Sequence, residues 1–434
     1  METFLQQARD AAQQQNWARL VHCLEQLLST EAMSSDASDP EAIALALQVL
    51  EFGDFHAQWD AAKLFSSFGH AAIAPLIALM QNEDAALESR WFAVRILGEC
   101  SHPTAIRALI DLLQTSDDDD LSAMAATALA TLGDSAIAAL SELLSDASIR
   151  PLAVQALTQI RRSETIAPLL TVVDDPDPSV RALAIDALSS FHDQRVPPVL
   201  AQALTDKSAA VRRSAVVGLG VRADLAAELE LVSLLSDRLR DLNLDVCQQA
   251  AIALGRLGTD AAATSLFNVL KPHTPLPLQL ESVRALGWIG SAIALDYLHQ
   301  VLSTIEHIIG DAEVRRSMYQ EIITVLGRWT DPLLKPHAAK ILLGLLDAEP
   351  VTTASSLKSP IALALGQLGQ PPALDPLIGL LAEADVGVRL HAIAALKTLD
   401  ARLALQRLER LAVEETVPVE LQQGVAIALQ EWGQ

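Results

Sequence analysis

The side chains in this sequence that could do covalent or metal chemistry are few and scattered. Cys23, Cys100 and Cys247 show neither paired nor CxxC spacing, so neither a zinc site nor a disulfide framework is indicated. Each lies in a helical stretch and is expected to serve as a small buried hydrophobe. His22 precedes Cys23, but helical neighbours point about 100° apart, which makes the pair a poor activated thiolate. No HExxH, P-loop or strand-linked GxGxxG occurs, so no metal-hydrolase or nucleotide-phosphate machinery is visible. The run Asp117–Asp120 lacks the spacing, Gly and bidentate Glu of a calcium loop and reads as a solvated turn.

What remains is the chemistry of recognition. The chain carries 54 acidic and 31 basic residues, a net charge of −23, which argues against a nucleic-acid partner. The charge is uneven: residues 1–270 hold 36 acidic and 18 basic side chains, 271–346 hold seven of each, and 347–434 hold eleven and six. The neutral window also contains Tyr297, Tyr319, Trp288, Trp329, four histidines (273, 299, 307 and 337) and the proline-rich insertion KPHTPLPL (271–278). Aromatic and Arg side chains concentrate at interface hot spots. Arg284, Trp288, Arg315, Arg316, Tyr319, Arg328 and Trp329 are therefore candidate partner-binding residues. A second candidate is Arg90-Trp-Phe-Ala-Val-Arg95, with Arg90, Trp91 and Arg95 as its contacts. Trp91 is large for an Ala-lined groove, and an intramolecular ladder role for the two arginines is the competing expectation.

The elements that must position these residues repeat. A nine-residue pattern, A/T-I-x-P/A-L-x-x-L-L, begins with AIAPLIALM (72–80), AIRALIDLL (105–113), AIAALSELL (136–144) and TIAPLLTVV (165–173). Its fifth positions are Leu76, Leu109, Leu140, Leu169, Leu200, Leu231, Leu266, Leu298, Leu342, Leu377 and Leu408. The steps are 33, 31, 29, 31, 31, 35, 32, 44, 35 and 31 residues, a period that signals a helical-repeat array. A second helical stretch follows each copy, often after an acidic turn and Val-Arg, as at Asp177-Pro-Ser-Val-Arg181 and Asp385-Val-Gly-Val-Arg389. The Asp can cap that helix, and the Arg can reach the Asp of the next repeat. Expected is an all-α fold, a right-handed, armadillo-like α-solenoid of about eleven helix pairs over 55–434. Residues 1–29 read as an N-terminal amphipathic helix that caps one end, 30–54 as linker and entry, and Val419–Trp432 as the helix capping the other. No apolar run reaches the roughly 20 residues of a membrane span, and no signal peptide is visible. With unpaired cysteines, that predicts a cytoplasmic compartment.

These repeats resemble HEAT repeats. One helical-repeat enzyme class, the deoxyhypusine hydroxylases, resembles this architecture and holds di-iron through His-Glu pairs; none of the ten histidines here is followed by Glu. The AIAPLIALM…RWFAVRILGE stretch resembles the cyanobacterial HEAT-repeat proteins related to phycobilin lyases. That resemblance implies one of two roles. One is a non-enzymatic, cofactor-free scaffold that binds a protein in photosynthetic or iron–sulfur-related assembly. The other is a bilin lyase, isomerase or phycobilisome-degradation factor, with a linear tetrapyrrole as ligand and a phycobiliprotein as partner. Lyases of this kind carry Tyr-Thr and Val-Glu-Asn where this chain reads Glu83-Asp-Ala-Ala-Leu-Glu-Ser-Arg-Trp91, which favours the scaffold.

Overall fold

The computed structural model describes residues 2–31, 39–225, 230–308, 310–348, 355–414 and 416–432, and its regular structure is helical throughout. The chain divides into two compact units, Met1–Val199 and Leu200–Gln434.

The first unit holds α1 (Glu2–Gln13), α2 (Trp17–Glu31), α3 (Pro40–Phe52), α4 (Phe55–Phe68), α5 (Ile73–Gln81) and α6 (Leu87–Leu97). It continues with α7 (Pro103–Thr115), α8 (Asp119–Thr131), α9 (Asp134–Leu143), α10 (Arg150–Gln159), α11 (Ile166–Leu170) and α12 (Pro178–Ser189). The short helix α13 (Val196–Ala203) lies at the division. The second unit holds α14 (Ala209–Gly220), α15 (Leu231–Arg238), α16 (Leu244–Leu257), α17 (Asp260–Phe267), α18 (Leu276–Ile289) and α19 (Ala292–Ile308). After them come α20 (Ala312–Gly327), α21 (Lys335–Leu346), α22 (Ser355–Leu368), α23 (Leu374–Gly379), α24 (Val386–Ala412) and α25 (Val419–Trp432). Within α24 two helical segments meet at Asp400, whose backbone is extended and whose carboxylate accepts the Leu403 N–H at 2.9 Å.

The repeat reading is borne out at its anchors: all eleven aligned leucines are 0% exposed. Each contributes on the order of 1.5–3 kcal/mol of apolar burial, so the repeated leucine is what makes each helix pair pack. Two helix pairs, α1/α2 and α3/α4, precede the first motif copy, which raises the array to roughly a dozen. The N-terminal segment is two helices rather than one. The polar run Gln13–Asn16 breaks it: Gln15 takes a left-handed φ of 52°, and the Asn16 side chain caps α2 by accepting the Arg19 N–H at 3.2 Å. Most of the expected Ser/Asp/Pro linker, residues 32–38, lies outside the described residues.

The acidic turns act as helix caps. Asp177 accepts the Ser179 N–H at 2.8 Å, and Asp385 accepts the Gly387 N–H at 2.7 Å. The Asp117–Asp120 run has the same explanation. Asp118 caps α8 through the Leu121 N–H at 2.9 Å, while Asp119 and Asp120 sit in its first turn, where negative charge suits the helix dipole. The Val-Arg arginines have two jobs. Their guanidinium groups donate to the carbonyl six residues back, Arg212 to Asp206 at 2.8 Å and Arg389 to Glu383 at 2.6 Å, closing the turn that precedes their own helix. Arg212, and Arg150 at the corresponding Ile149-Arg150 position, also reach the next repeat, pairing with Asp241 at 2.6 Å and Asp175 at 2.5 Å.

The segment Phe55–Gln81 is long and apolar enough, by length and composition, to cross a membrane. It is not one rod. Gly69, at φ 58°, ends α4 after 14 residues, and a short 3₁₀ turn leads into the nine residues of α5. At 1.5 Å per residue neither helix approaches the roughly 30 Å of hydrocarbon.

Candidate functional site

The Arg90–Arg95 candidate and the 271–346 candidate fall in different units, and each has its own environment. In the first unit, the Asp54 side chain starts α4 by accepting the Ala57 N–H at 2.8 Å. Phe55 is thereby the first residue of α4, and it stands 64% exposed. One turn on, Trp59 faces α6, where the Arg95 guanidinium carbon lies 3.9 Å from its ring centroid. Phe92 is fully buried beneath both, with ring centroids 5.7 Å from Phe55 and 6.5 Å from Trp59. Trp91 meets Phe92 edge-on at 5.1 Å and is half-buried. Phe55, Leu87 and Trp91 line one side of a cleft of about 500 Å³, and Leu121, Met124 and Thr127 of α8 line the other.

The two arginines of this helix are engaged within the fold. Arg90 donates from Nε to the Met80 carbonyl at 2.9 Å, fastening α6 to the end of α5, and Arg95 is stacked on Trp59. Of the three expected contacts here, Trp91 lines the cleft, whereas Arg90 and Arg95 support it. Phe55, Trp59 and Phe92 were not anticipated. The i, i+4 spacing of Phe55 and Trp59 was a visible signal, but their grouping with α6 depends on packing between helices.

In the second unit the candidates divide. Arg284 on α18 forms a two-pronged pair with Glu321 on α20, at 3.0 and 2.9 Å, and also reaches Glu281 at 3.2 Å. Trp288, one turn further along α18, is 56% exposed and lies against Gly255 of α16. Arg315 pairs with Glu306 at 3.4 Å, and Arg316 and Arg328 are exposed. Tyr319 and Trp329 are buried, at 3% and 4% exposure, so they stand in the core and not on a free face. Tyr319 sits beside the equally buried Met318 on α20, and Trp329 follows the end of that helix between the exposed Arg328 and Thr330.

The Tyr319 hydroxyl donates to Glu306 Oε1 at 3.0 Å. Burial first, then this hydrogen bond and the carboxylate's charge, push its phenol well above the usual tyrosine range. In a Tyr297→Phe chain, phenolate absorbance should accordingly stay absent beyond about pH 11, where an ordinary tyrosine has ionised. Ionisation near pH 10 in the folded chain would contradict this placement.

The histidines of the neutral window are dispersed. His299 and His337 meet edge-on with ring centroids 6.5 Å apart, in a cleft of about 390 Å³ beside Lys340. His273 lines a separate cleft of about 330 Å³ with Cys247. His307 has a side chain outside the described residues. Among the described residues, no group of three or more His, Cys, Asp or Glu side chains could hold a metal ion. The cysteines are free: Cys23 and Cys247 are buried, and burial pushes the Cys100 and Cys247 thiols up, away from thiolate chemistry. His22 points at Glu25, 3.7 Å away.

Residues 73–151 and 145–220 match a family model described as HEAT repeats, and residues 361–383 match one described as a PBS lyase HEAT-like repeat. The repeats are HEAT-like. No curated protein matches the chain. Among solved structures, importin beta crystallised in a polyethylene glycol condition aligns with a TM-score of 0.54 at 14% identity, over 99% of this chain and 70% of that one. Importin beta in an ammonium sulfate condition aligns at 0.55 and 14% identity, over 98% and 64%. A Kap121p mutant aligns at 0.54 and 12% identity, over 92% of this chain and half of that one. At such identity the likeness is one of fold.

Proposed function

We propose that this chain is a non-enzymatic scaffold that binds a protein partner through exposed aromatic side chains on its helical repeats. The observation that carries this reading is the α4–α6–α8 cleft, where Phe55 and Trp91 border an apolar hollow of about 500 Å³. Exposed rings cost solvation free energy unless something covers them, and rings held by a rigid frame lose little entropy on binding. The frame is rigid here because Arg95 is stacked on Trp59 and Phe92 packs beneath. Trp288 on α18, with Arg316 and Arg328, is a secondary contact region of the second unit. The resemblance to phycobilin-lyase relatives supports a partner in photosynthetic or iron–sulfur assembly, and the unpaired cysteines support a cytoplasmic compartment.

The test is capture. A tagged chain should retain a specific protein from a cyanobacterial lysate, and a Phe55→Ala/Trp91→Ala chain should lose at least nine-tenths of it while keeping its helical content. Undiminished capture by that variant would remove the cleft from the reading, and capture lost only with Trp288→Ala would move the site to the second unit.

The match of residues 361–383 to a PBS lyase HEAT-like repeat favours a second reading, the handling of a linear tetrapyrrole. The α4–α6–α8 cleft fits it poorly: a bilin's propionates call for cations, and the charged residues that line this cleft are Glu88 and Asp120. Co-expression with bilin-synthesis enzymes and a phycobiliprotein subunit decides it: colour on this chain, or bilin attachment that depends on it, would replace the scaffold reading.

A further inference from the structure

The cleft between α6 and α8 carries charge as well as apolar surface. Glu88 and Asp120 are the charged residues that line it, and both are exposed. Each lies in the first turn of its helix, Glu88 on α6 and Asp120 on α8. Leu87 and Leu121 flank these carboxylates, and the bulkier Trp91 and Met124 follow one turn further along each helix. Three to four residues at 1.5 Å each put about 5 Å between the position of each carboxylate and that of the bulky side chain. Ala123 and Thr127, which also line the cleft, are small and exposed. The two arginines of α6 do not line the cleft: Arg90 is bonded to the Met80 carbonyl and Arg95 is stacked on Trp59. The unit as a whole adds to the field: residues 1–199 hold 28 acidic and 11 basic side chains, a net −17.

From this arrangement we infer that the cleft takes a basic amphipathic helix of a protein partner. Such a helix seats one bulky apolar side chain between Trp91, Phe55 and Met124. A Lys or Arg one turn away, at i+3 or i+4 on the partner, lies against Glu88 and Asp120. That spacing is the one a helix provides on a single face. The apolar contact gives the affinity, while the carboxylates set orientation and exclude acidic segments. This inference rests on the cleft being a protein-docking site and adds the chemistry of what docks.

A displayed library of random 16-residue peptides, selected on the full chain and counter-selected on a Trp91→Ala chain, tests both layers. Enriched peptides should carry Lys or Arg three or four positions from Trp, Phe, Leu or Met. A selected peptide should bind a Glu88→Gln/Asp120→Asn chain at least tenfold more weakly, and the difference should collapse at high salt, where charges are screened within a few ångströms. The two exchanges leave the α8 cap in place, because Asp118 supplies it. Peptides that depend on Trp91 but carry no cation, or that ignore the double exchange, would overturn the basic-partner inference and leave the docking site standing. If no Trp91-dependent peptide emerges, the docking site falls with it.

Discussion

Replacing Arg212 by Leu is expected to destabilise the second unit by about 3 kcal/mol at neutral pH, the low end of what breaking a buried ion pair costs. Arg212 donates from Nε and Nη2 to the two Asp241 oxygens at 2.7 and 2.6 Å, and the side chains are only 12% and 4% exposed. Without the guanidinium, Asp241 stays buried with the Asn243 N–H at 2.9 Å and a distant Arg238, 3.9 Å away. The Asp206 carbonyl loses its donor as well.

The sign of the pH dependence follows from the same contact. The hydrogen bonds from Arg212 hold the Asp241 carboxyl below its ordinary value, against a smaller opposing effect of burial. A depressed folded value means that the stabilisation is fully present above the unfolded value near 4 and is lost as pH falls through the folded one. The gap between wild type and Arg212→Leu should therefore be widest at pH 7 and close below about pH 4. Hydrogen exchange of the α14 and α16 amides reads the unit directly, where a single global unfolding curve would mix two units. A gap under 1 kcal/mol, or one indifferent to pH, would show that the pair is ornamental.

The second large effect is steric. A Cβ at Gly366 on α22 would stand 2.7 Å from the Cα of Ala395 and 3.0 Å from its carbonyl oxygen on α24. Those are backbone atoms, which cannot step aside as a flexible side chain can. Gly366→Val should cost about 3 kcal/mol, at the upper end of the usual range for overpacking. Gly344 on α21 is the control, since a Cβ there meets nothing within 4 Å. Gly344→Ala should stabilise by up to about 1 kcal/mol through helix propensity alone. Opposite signs at two helical glycines, read as exchange protection of α21, α22 and α24, would establish that close helix approach and not glycine itself governs the array. Equal effects would refute it. The close approach recurs at Gly327 against Ala364, so these small residues set how near successive second helices lie.

The helical array was legible before any coordinates because its information is local and periodic. A leucine every 30-odd residues, on a stripe of i, i+3, i+4 and i+7, has one low-energy solution: helices that bury that stripe against their neighbours. The Asp caps were legible for the same reason, since a cap bonds an amide two or three residues away. The reach of Arg150 to Asp175 and of Arg212 to Asp241 was readable as well, because the repeat period brings corresponding positions together.

Tertiary structure decided what periodicity leaves open. Trp288 and Trp329 look alike in sequence, yet one, on α18, is 56% exposed and the other, in the turn after α20, is 4% exposed. The break at Gln15 turned one expected helix into two. Above all, Phe55, Trp91 and Met124 come from three helices, and only packing gathers them around one cleft. By itself the sequence determined that the chain is a stack of paired helices with an acidic surface. Which rings that stack leaves uncovered depends on helix rotation and approach, and these arise only when the side chains of neighbouring repeats interlock.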